Sequence, residues 1–390
     1  MAKLIDITGK ALSGEWGNDD ENGNGIPVLR TTNFTNIGVV NYSNIITRDI
    51  RKSNLSEKYL RKGDIIIEKS GGSDTQPVGR VIYFEGEEHK YLFNNFTGLL
   101  RVKDSTVCFP KYLFYSLFYN YQRGGTIPFQ NKTTGLHNLK TDDYVKSCDI
   151  PLPPLETQRK IATNLDKVTN LIHTCNAILE KLDLLVKSRF VEMFGEPVSN
   201  PMGWEKVAIG KRCDIVTGNT PPRADAENYG EYIEWIKSDN INTPDTFLTT
   251  AEEYLSEKGA SIGRCVDAGG VLMTCIAGSI KCIGNVGVAD RKVAFNQQIN
   301  AIVPKADDTM YIYWLMILSK PYIQSTINMA LKGILSKGQL SEMVFPFPPL
   351  ALQQQFATFV KQTDKSKLAV KNVLEKAETL KKALMQEYFG

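Results

Sequence analysis

The chain has 390 residues, a net charge of +3 from 46 Lys+Arg against 43 Asp+Glu, and a mean hydropathy of −0.23. That length allows two or three domains with cores of their own, and the near-balanced charge confines any nucleic-acid face to a local arrangement of basic residues. No apolar run nears the ~20 residues of a membrane span, MAKLIDITGK lacks a secretory pattern, and seven cysteines without a C-x-x-C pair read as cytoplasmic thiols rather than zinc ligands or disulfides.

Residues 1–150 read as a β-rich domain. Short β-branched and aromatic runs, IPVLR (26–30), DIIIEKS (64–70), GRVIYF (79–84) and FTGLLRV (96–102), alternate with turn clusters. An aromatic helix, PKYLFYSLFYNYQ (110–122), closes the domain, with Tyr112, Phe114 and Tyr115 expected to pack inward. The proline run PLPP (151–154) then fixes the entry of a helix over 155–194. Its apolar residues step by four and three through Ile161, Leu165, Val168, Ile172, Cys175, Leu179, Leu182 and Val186. This is a coiled-coil seam, and ~40 residues at 1.5 Å each is longer than a bundle core usually needs.

Residues 198–345 repeat the scheme with YIEWIKS (232–238), GVLMTCIA (270–277), FNQQINAIV (295–303) and an aromatic helix over 310–327, with Tyr313 and Trp314 expected inside. A second proline run opens a second long helix over 350–389. It keeps Phe356, Val360, Val370, Leu374, Ala377 and Leu384 on its seam but places Lys367 and Lys381 there too. Strands first and helices late in each half indicate α+β.

The second half repeats the first. Aligned without gaps at an offset of 195, residues 151–195 and 346–390 are identical at 15 of 45 positions, among them Gln158/Gln353 and Phe194/Phe389. The organisation is therefore 1–150, a helix segment 151–197, 198–345 and a helix segment 346–390. The two long helices are each other's natural partners, and antiparallel pairing satisfies the two-fold logic of the repeat, although the pattern alone also allows parallel pairing. Within the globules, Ile26/Ile233, Asn33/Asn240 and Gly71/Gly278 match at one offset and Asn95/Asn296 at another. Aligning DITG (6–9) with DIVTG (214–218) leaves the first domain without a counterpart of the lead-in strand read at WEKVAIG (204–210).

Taken together, PLPPLETQRKIA (151–162), MFGEPVSNPMGWEKV (193–207) and PFPPLALQQQFA (346–357) resemble the DNA-specificity subunit of type I restriction-modification enzymes. KGDIIIEKSGG (62–72), GVLMTCIAGSI (270–280) and FNQQINAIVP (295–304) resemble that family's target-recognition domains. The resemblance covers nearly the whole chain. It implies two mixed α/β target-recognition domains joined by two long antiparallel coiled-coil helices in a pseudo-two-fold repeat. Each domain would read one half of a bipartite duplex DNA target, and the helices would set the unread spacer. It also implies two methyltransferase partners and, through them, restriction subunits, in the cytoplasm and with no membrane. S-adenosylmethionine and ATP would belong to those partners, with no cofactor in this chain and no catalysis by it. The residues agree: no G-x-x-x-x-G-K-[S/T] loop is present, and NTPP (219–222) is not the N/D-P-P-Y/F pattern of amino-methyltransferases.

Base edges are read by Arg or Lys at guanine and Asn or Gln at adenine, while Lys, Arg, Ser and backbone N–H groups hold phosphates. On that chemistry the DNA-binding candidates in the first domain are Arg30, Asn33, Lys69, Ser70, Gln76, Arg80 and Asn95. In the second they are Arg223, Lys237, Asn240, Ser279, Lys281, Gln297 and Gln298. Each has the plainer reading of a solvated or turn-capping side chain, and the recurrence of Asn33/Asn240 and Asn95/Asn296 points to structure. Leu155, Gln158, Leu350 and Gln353, at the helix starts, are the candidate partner-binding residues, with capping the alternative for the two glutamines. The competing reading of the whole chain is a coiled-coil scaffold that binds proteins and not DNA.

Overall fold

The computed structural model describes residues 1–390 apart from Ser53, Thr134, Gly135 and 329–332. It divides into two compact units, Met1–Thr174 with Val373–Gly390, and Cys175–Asn372. Both long helices form over the expected residues, Leu155–Phe194 and Leu350–Phe389, because neither stretch contains proline or glycine to interrupt its hydrogen bonds. Each unit takes one end of each helix. Among the described residues, no helix is long and apolar enough to cross a membrane.

In the first unit, an antiparallel sheet runs Leu12–Ser13, Thr97–Leu100, Ile65–Glu68, Val81–Tyr83. The central run Ile65–Ile67 is buried on both faces, which accounts for its unbroken isoleucines. Ile65 and Ile67 face the aromatic helix Pro110–Gln122, whereas Ile66 faces a smaller core with Leu29, Phe84 and Phe93. Tyr112, Phe114 and Tyr115 are buried in the larger core, as their spacing predicts. Ile161 and Leu165 from the start of the first long helix join Met385 and Phe389 from the end of the second in that same core. The helix ends in this unit are therefore antiparallel.

The second unit repeats this construction. Its main sheet runs Cys213–Thr217, Ile299–Pro304, Val271–Thr274, Val286–Val288. Val271 and Met273 face the aromatic helix Thr309–Ser325, and Leu272 faces the other way. Here the end of the first long helix (Phe190, Phe194) packs on the start of the second (Phe356), with ring centroids 5.3 and 5.6 Å apart, and on Tyr311 at 5.5 and 5.0 Å. Lys367, on the seam, is nearly covered and reaches Asp183 at 2.7 Å, which is how this coiled coil accommodates a charge.

Three expectations change. FNQQINAIV is two strands, Val293–Phe295 and Ile299–Pro304, because residues 296–298 form a turn that reverses the chain. The first domain does not lack its lead-in strand: Ala2–Lys3 pairs with Asp149–Ile150 just as Lys206–Ala208 pairs with Val344–Pro346. Leu4 N–H then donates to Cys148 O as Ile209 N–H donates to Met343 O, both at 2.9 Å. The true counterpart of Gly218 is Gly14, not Gly9. A Cβ at Gly14 would lie 2.2 Å from Asn94 O and one at Gly218 2.1 Å from Asn296 O, so both strands must end on glycine where this turn crosses them. The same geometry makes Asn94, not Asn95, the equivalent of Asn296. The hydrogen bonds from Cys275 and Ile276 to Gln298 O, matching Lys69 and Ser70 to Phe96 O, likewise make Gly72 the equivalent of Gly278.

Candidate nucleic-acid interface

The equivalent turns, 94–96 and 296–298, define the frame on which each unit displays variable side chains. Thr97 N–H and Ile299 N–H close them on Asn94 O and Asn296 O, at 3.1 and 3.2 Å. The following carbonyls, Phe96 O and Gln298 O, accept from the strand-end residues Lys69 and Ser70, or Cys275 and Ile276. The anchoring asparagines are buried, whereas the next two positions are exposed or, at Gln298, half-buried with Oε1 accepting from Asn296 Nδ2 at 3.4 Å. They are Asn95 and Phe96 (52% exposed) in the first unit, and Gln297 and Gln298 in the second. One backbone thus carries two different chemistries.

In the first unit this turn borders a cleft of about 490 Å³ that brings together Lys69, Ser70 and Asn95 of the candidates. Lys69 Nζ donates to Ser13 Oγ at 2.9 Å, and burial holds its ammonium below the usual lysine range. Arg30, Gln76 and Arg80 lie outside this cleft. Gln76 and Arg80 border another, of about 410 Å³. Arg80 is bound through Nε (3.0 Å) and Nη2 (2.9 Å) to both oxygens of buried Glu68, so two of its donors are committed internally. Arg30 spends Nη2 on Asn44 O at 3.1 Å.

Asn33 and Asn240 are corrected to structural residues. Asn33 is 1% exposed: its Oδ1 accepts from Arg30 N–H at 2.9 Å and its Nδ2 donates to Asn41 O at 3.0 Å. Asn240 repeats this with Lys237 N–H (3.0 Å) and Thr250 O (3.1 Å). A buried amide must satisfy its donors and acceptor within the fold, and here the turn consumes them.

In the second unit, Arg223 and Lys237 come together on one carboxylate, Glu253. Arg223 Nη2 donates to Oε2 at 2.8 Å, and Lys237 Nζ to Oε1. Lys237, followed by Arg223, holds the Glu253 carboxyl below the usual carboxylate range. Arg223 also lies over Tyr229 and Trp235, 4.7 and 5.0 Å from the ring centroids. Gln297 is exposed and accepts from Thr220 Oγ1; Gln298 is half-buried, its N–H on Asn296 Oδ1. Ser279 and Lys281 sit together on a separate exposed turn, with Ser279 Oγ accepting from Lys281 N–H at 3.3 Å. Sequence reasoning missed Glu253, Trp235, Tyr229 and Phe96, which no local motif marks.

Gln158 and Gln353 are also corrected: they face inward and offer nothing to a partner. Gln158 is 1% exposed and ties Phe109 N–H (2.8 Å), Val107 O (3.0 Å) and Pro153 O (2.9 Å) together. Gln353 is fully buried and does the same for Asp308 N–H (2.9 Å), Asp307 Oδ1 (2.8 Å) and Pro348 O (2.9 Å). Each glutamine staples the approach to the aromatic helix onto the proline run, alongside Tyr112 OH to Pro151 O (2.9 Å) and Tyr311 OH to Pro346 O (2.6 Å). Leu155 is half-buried and Leu350 exposed. The exposed apolar residues that do recur at equal repeat positions are Val373 and Leu380 in the first unit and Ile178 and Leu185 in the second. Their exposures are 44% and 48%, and 39% and 48%, and each pair is spaced i, i+7 along one helix.

The family described as the type I restriction modification DNA specificity domain matches residues 2–184 and again 201–380. The chain is 24% identical over 388 residues to a putative type I restriction enzyme MjaX specificity subunit of Methanocaldococcus jannaschii, covering 94% of this chain and 87% of that one. It is 23% identical over 359 residues to the type I restriction enzyme HindI specificity subunit of Haemophilus influenzae, covering 73% and 74%. Among solved structures, the type I restriction-modification S subunit from M. genitalium shares its fold over 100% of this chain and 95% of that one, at a TM-score of 0.63 and 14% identity. A chain from a structural study of type I system assembly and conformational transition matches over 100% and 96%, at 0.57 and 18%.

Proposed function

This chain belongs to the type I restriction modification DNA specificity family, and from that premise we propose that it reads a bipartite duplex DNA, one half-site per unit. In this reading the joining helices set the unread spacer and the chain itself catalyses nothing. The observation that carries it is the turn shared by both units, whose buried Asn94 and Asn296 hold one backbone while Asn95–Phe96 and Gln297–Gln298 differ in what they offer. Rigid strand ends with exchangeable side chains suit direct readout at base edges. Exchanging residues 1–150 for the corresponding domain of a relative tests it. Methylome sequencing of a host carrying the hybrid with its partner genes is expected to show one half-site changed. Change in both halves would refute the division.

The partners in this reading are two methyltransferase subunits and, through them, restriction subunits, in the cytoplasm; S-adenosylmethionine and ATP act in those partners. The paired apolar residues Val373/Leu380 and Ile178/Leu185 give each unit an equivalent docking strip, as two identical partners require. Val373→Asp alone is expected to remove one of two methyltransferases in native mass spectrometry, with Ile178→Asp removing the other. Full occupancy in both variants would move docking elsewhere.

A further inference from the structure

The second unit holds a side-chain assembly that goes beyond a general basic surface. Arg223 follows Pro221 and Pro222, and the loop they form is fixed from three sides. Tyr229 OH donates to Pro221 O at 2.7 Å, Asn228 Nδ2 to Pro222 O at 3.1 Å, and the Trp235 indole N–H to Asn219 O at 3.4 Å. From that loop the guanidinium lies over two aromatic rings with Nη2 on Glu253. Its side chain is nonetheless 57% exposed, so the fork is oriented and still reachable.

We infer that Arg223 is the guanine-reading side chain of the second unit and that Glu253 is the positioning residue that aims it. The inference rests on the DNA-reading function proposed above and specifies its chemistry. A guanidinium presents parallel N–H donors that match guanine O6 and N7, and that match is selective only when the fork is held in plane. Tyr229 and Trp235, with their rings at 71° to each other, flank the guanidinium and confine it, and the Glu253 hydrogen bond limits its rotation. Glu253 also takes Lys237, so its one negative charge offsets two cations and weakens indiscriminate attraction to phosphate. Among the described residues, the first unit's nearest arrangement is Arg48, over Trp16 at 4.4 Å and paired with Asp19, but its side chain is only 12% exposed and its other donors go to Trp16 O and Gly17 O. Val28 pairs with Ile46 where Trp235 meets Glu253 through its N–H, and Arg30 stands at the position of Lys237. The contact therefore belongs to one half-site only.

The test is selection from a fully randomised duplex library by the full-length chain with its methyltransferase subunit, comparing wild type, Arg223→Lys and Glu253→Gln. Wild type is expected to select a two-part motif with a G·C pair in one half. Arg223→Lys is expected to cut the preference for that guanine by about 10- to 100-fold, leaving the other half-site unchanged as an internal control of folding. Glu253→Gln is expected to relax the same position while binding random duplex more tightly, with a log–log salt slope steeper by about 1 as Lys237 becomes free for phosphate. A merely structural Glu253 would lower affinity without steepening that slope, and this result overturns its role. Uniform loss of affinity in Arg223→Lys with the guanine preference intact makes Arg223 a phosphate contact and overturns the inference. Failure of wild type to select any two-part motif instead refutes the DNA-reading function on which it stands.

Discussion

Replacing Gln353 by alanine isolates what holds each aromatic helix to its long helix. The substitution removes three hydrogen bonds, leaving Asp308 N–H, Pro348 O and one oxygen of Asp307 without the amide that joined them. Asp307 keeps Arg212, at 2.6 Å, so its charge is not stranded. Two backbone groups lose a buried partner at about 1–3 kcal/mol each, partly recovered where water reaches the gap, so a net loss of about 2–4 kcal/mol is expected. Gln158→Ala removes the equivalent bonds from Phe109 N–H, Val107 O and Pro153 O and belongs in the same range. Urea unfolding of each full-length variant gives the size of the loss, and hydrogen exchange of peptides spanning residues 107–112 or 306–311 gives its place. Each variant is expected to lose protection in its own unit first. A loss under about 0.5 kcal/mol in both, combined with failure to bind a methyltransferase, would refute the staple and restore these glutamines as docking residues.

Other consequences of the packing are equally open to measurement. Gly14→Ala and Gly218→Ala each force a methyl against a backbone oxygen at 2.2 or 2.1 Å, and a loss above about 2 kcal/mol is expected in chemical denaturation. Lys367→Leu replaces a nearly buried charge on the seam, and its Asp183 partner is exposed enough to rehydrate, so calorimetry is expected to show a higher Tm. Lys381 is also largely desolvated on the second long helix, and burial holds its ammonium below the usual lysine range. The unfolded chain therefore binds the proton more tightly, and wild-type stability at this site rises as pH passes from the folded value toward the unfolded one near 10.5. Lys381→Met is thus expected to be more stable than wild type at neutral pH, with the gain shrinking as pH approaches that value. A constant difference across the range would reject the desolvation.

The helices and the repeat were legible because they depend on local, periodic properties. An uninterrupted run of helix formers with an apolar step of four and three has few alternatives. Leu155–Phe194 and Leu350–Phe389 accordingly form over the expected residues. Strand runs such as DIIIEKS were legible for the same reason. Short motifs were less reliable guides. DITG and DIVTG share a glycine that ends a helical turn in one unit and a strand in the other, so matching them displaced the front of the first domain.

The fate of individual polar side chains lay beyond local pattern. An arginine reads as a base contact until the chain folds Glu68 onto Arg80, and only the fold brings Glu253, 30 residues away, to orient the exposed Arg223. Asn33 and Gln158 are the same kind of group as Asn95 and Gln297, yet the first two are consumed by buried backbone and the latter two reach the surface. The sequence by itself determined where chain elements form and that they form twice, since propensity and periodicity act within a few residues. Only the tertiary structure decided which donors and acceptors remain free, since hydrogen-bond satisfaction depends on partners that distant segments bring.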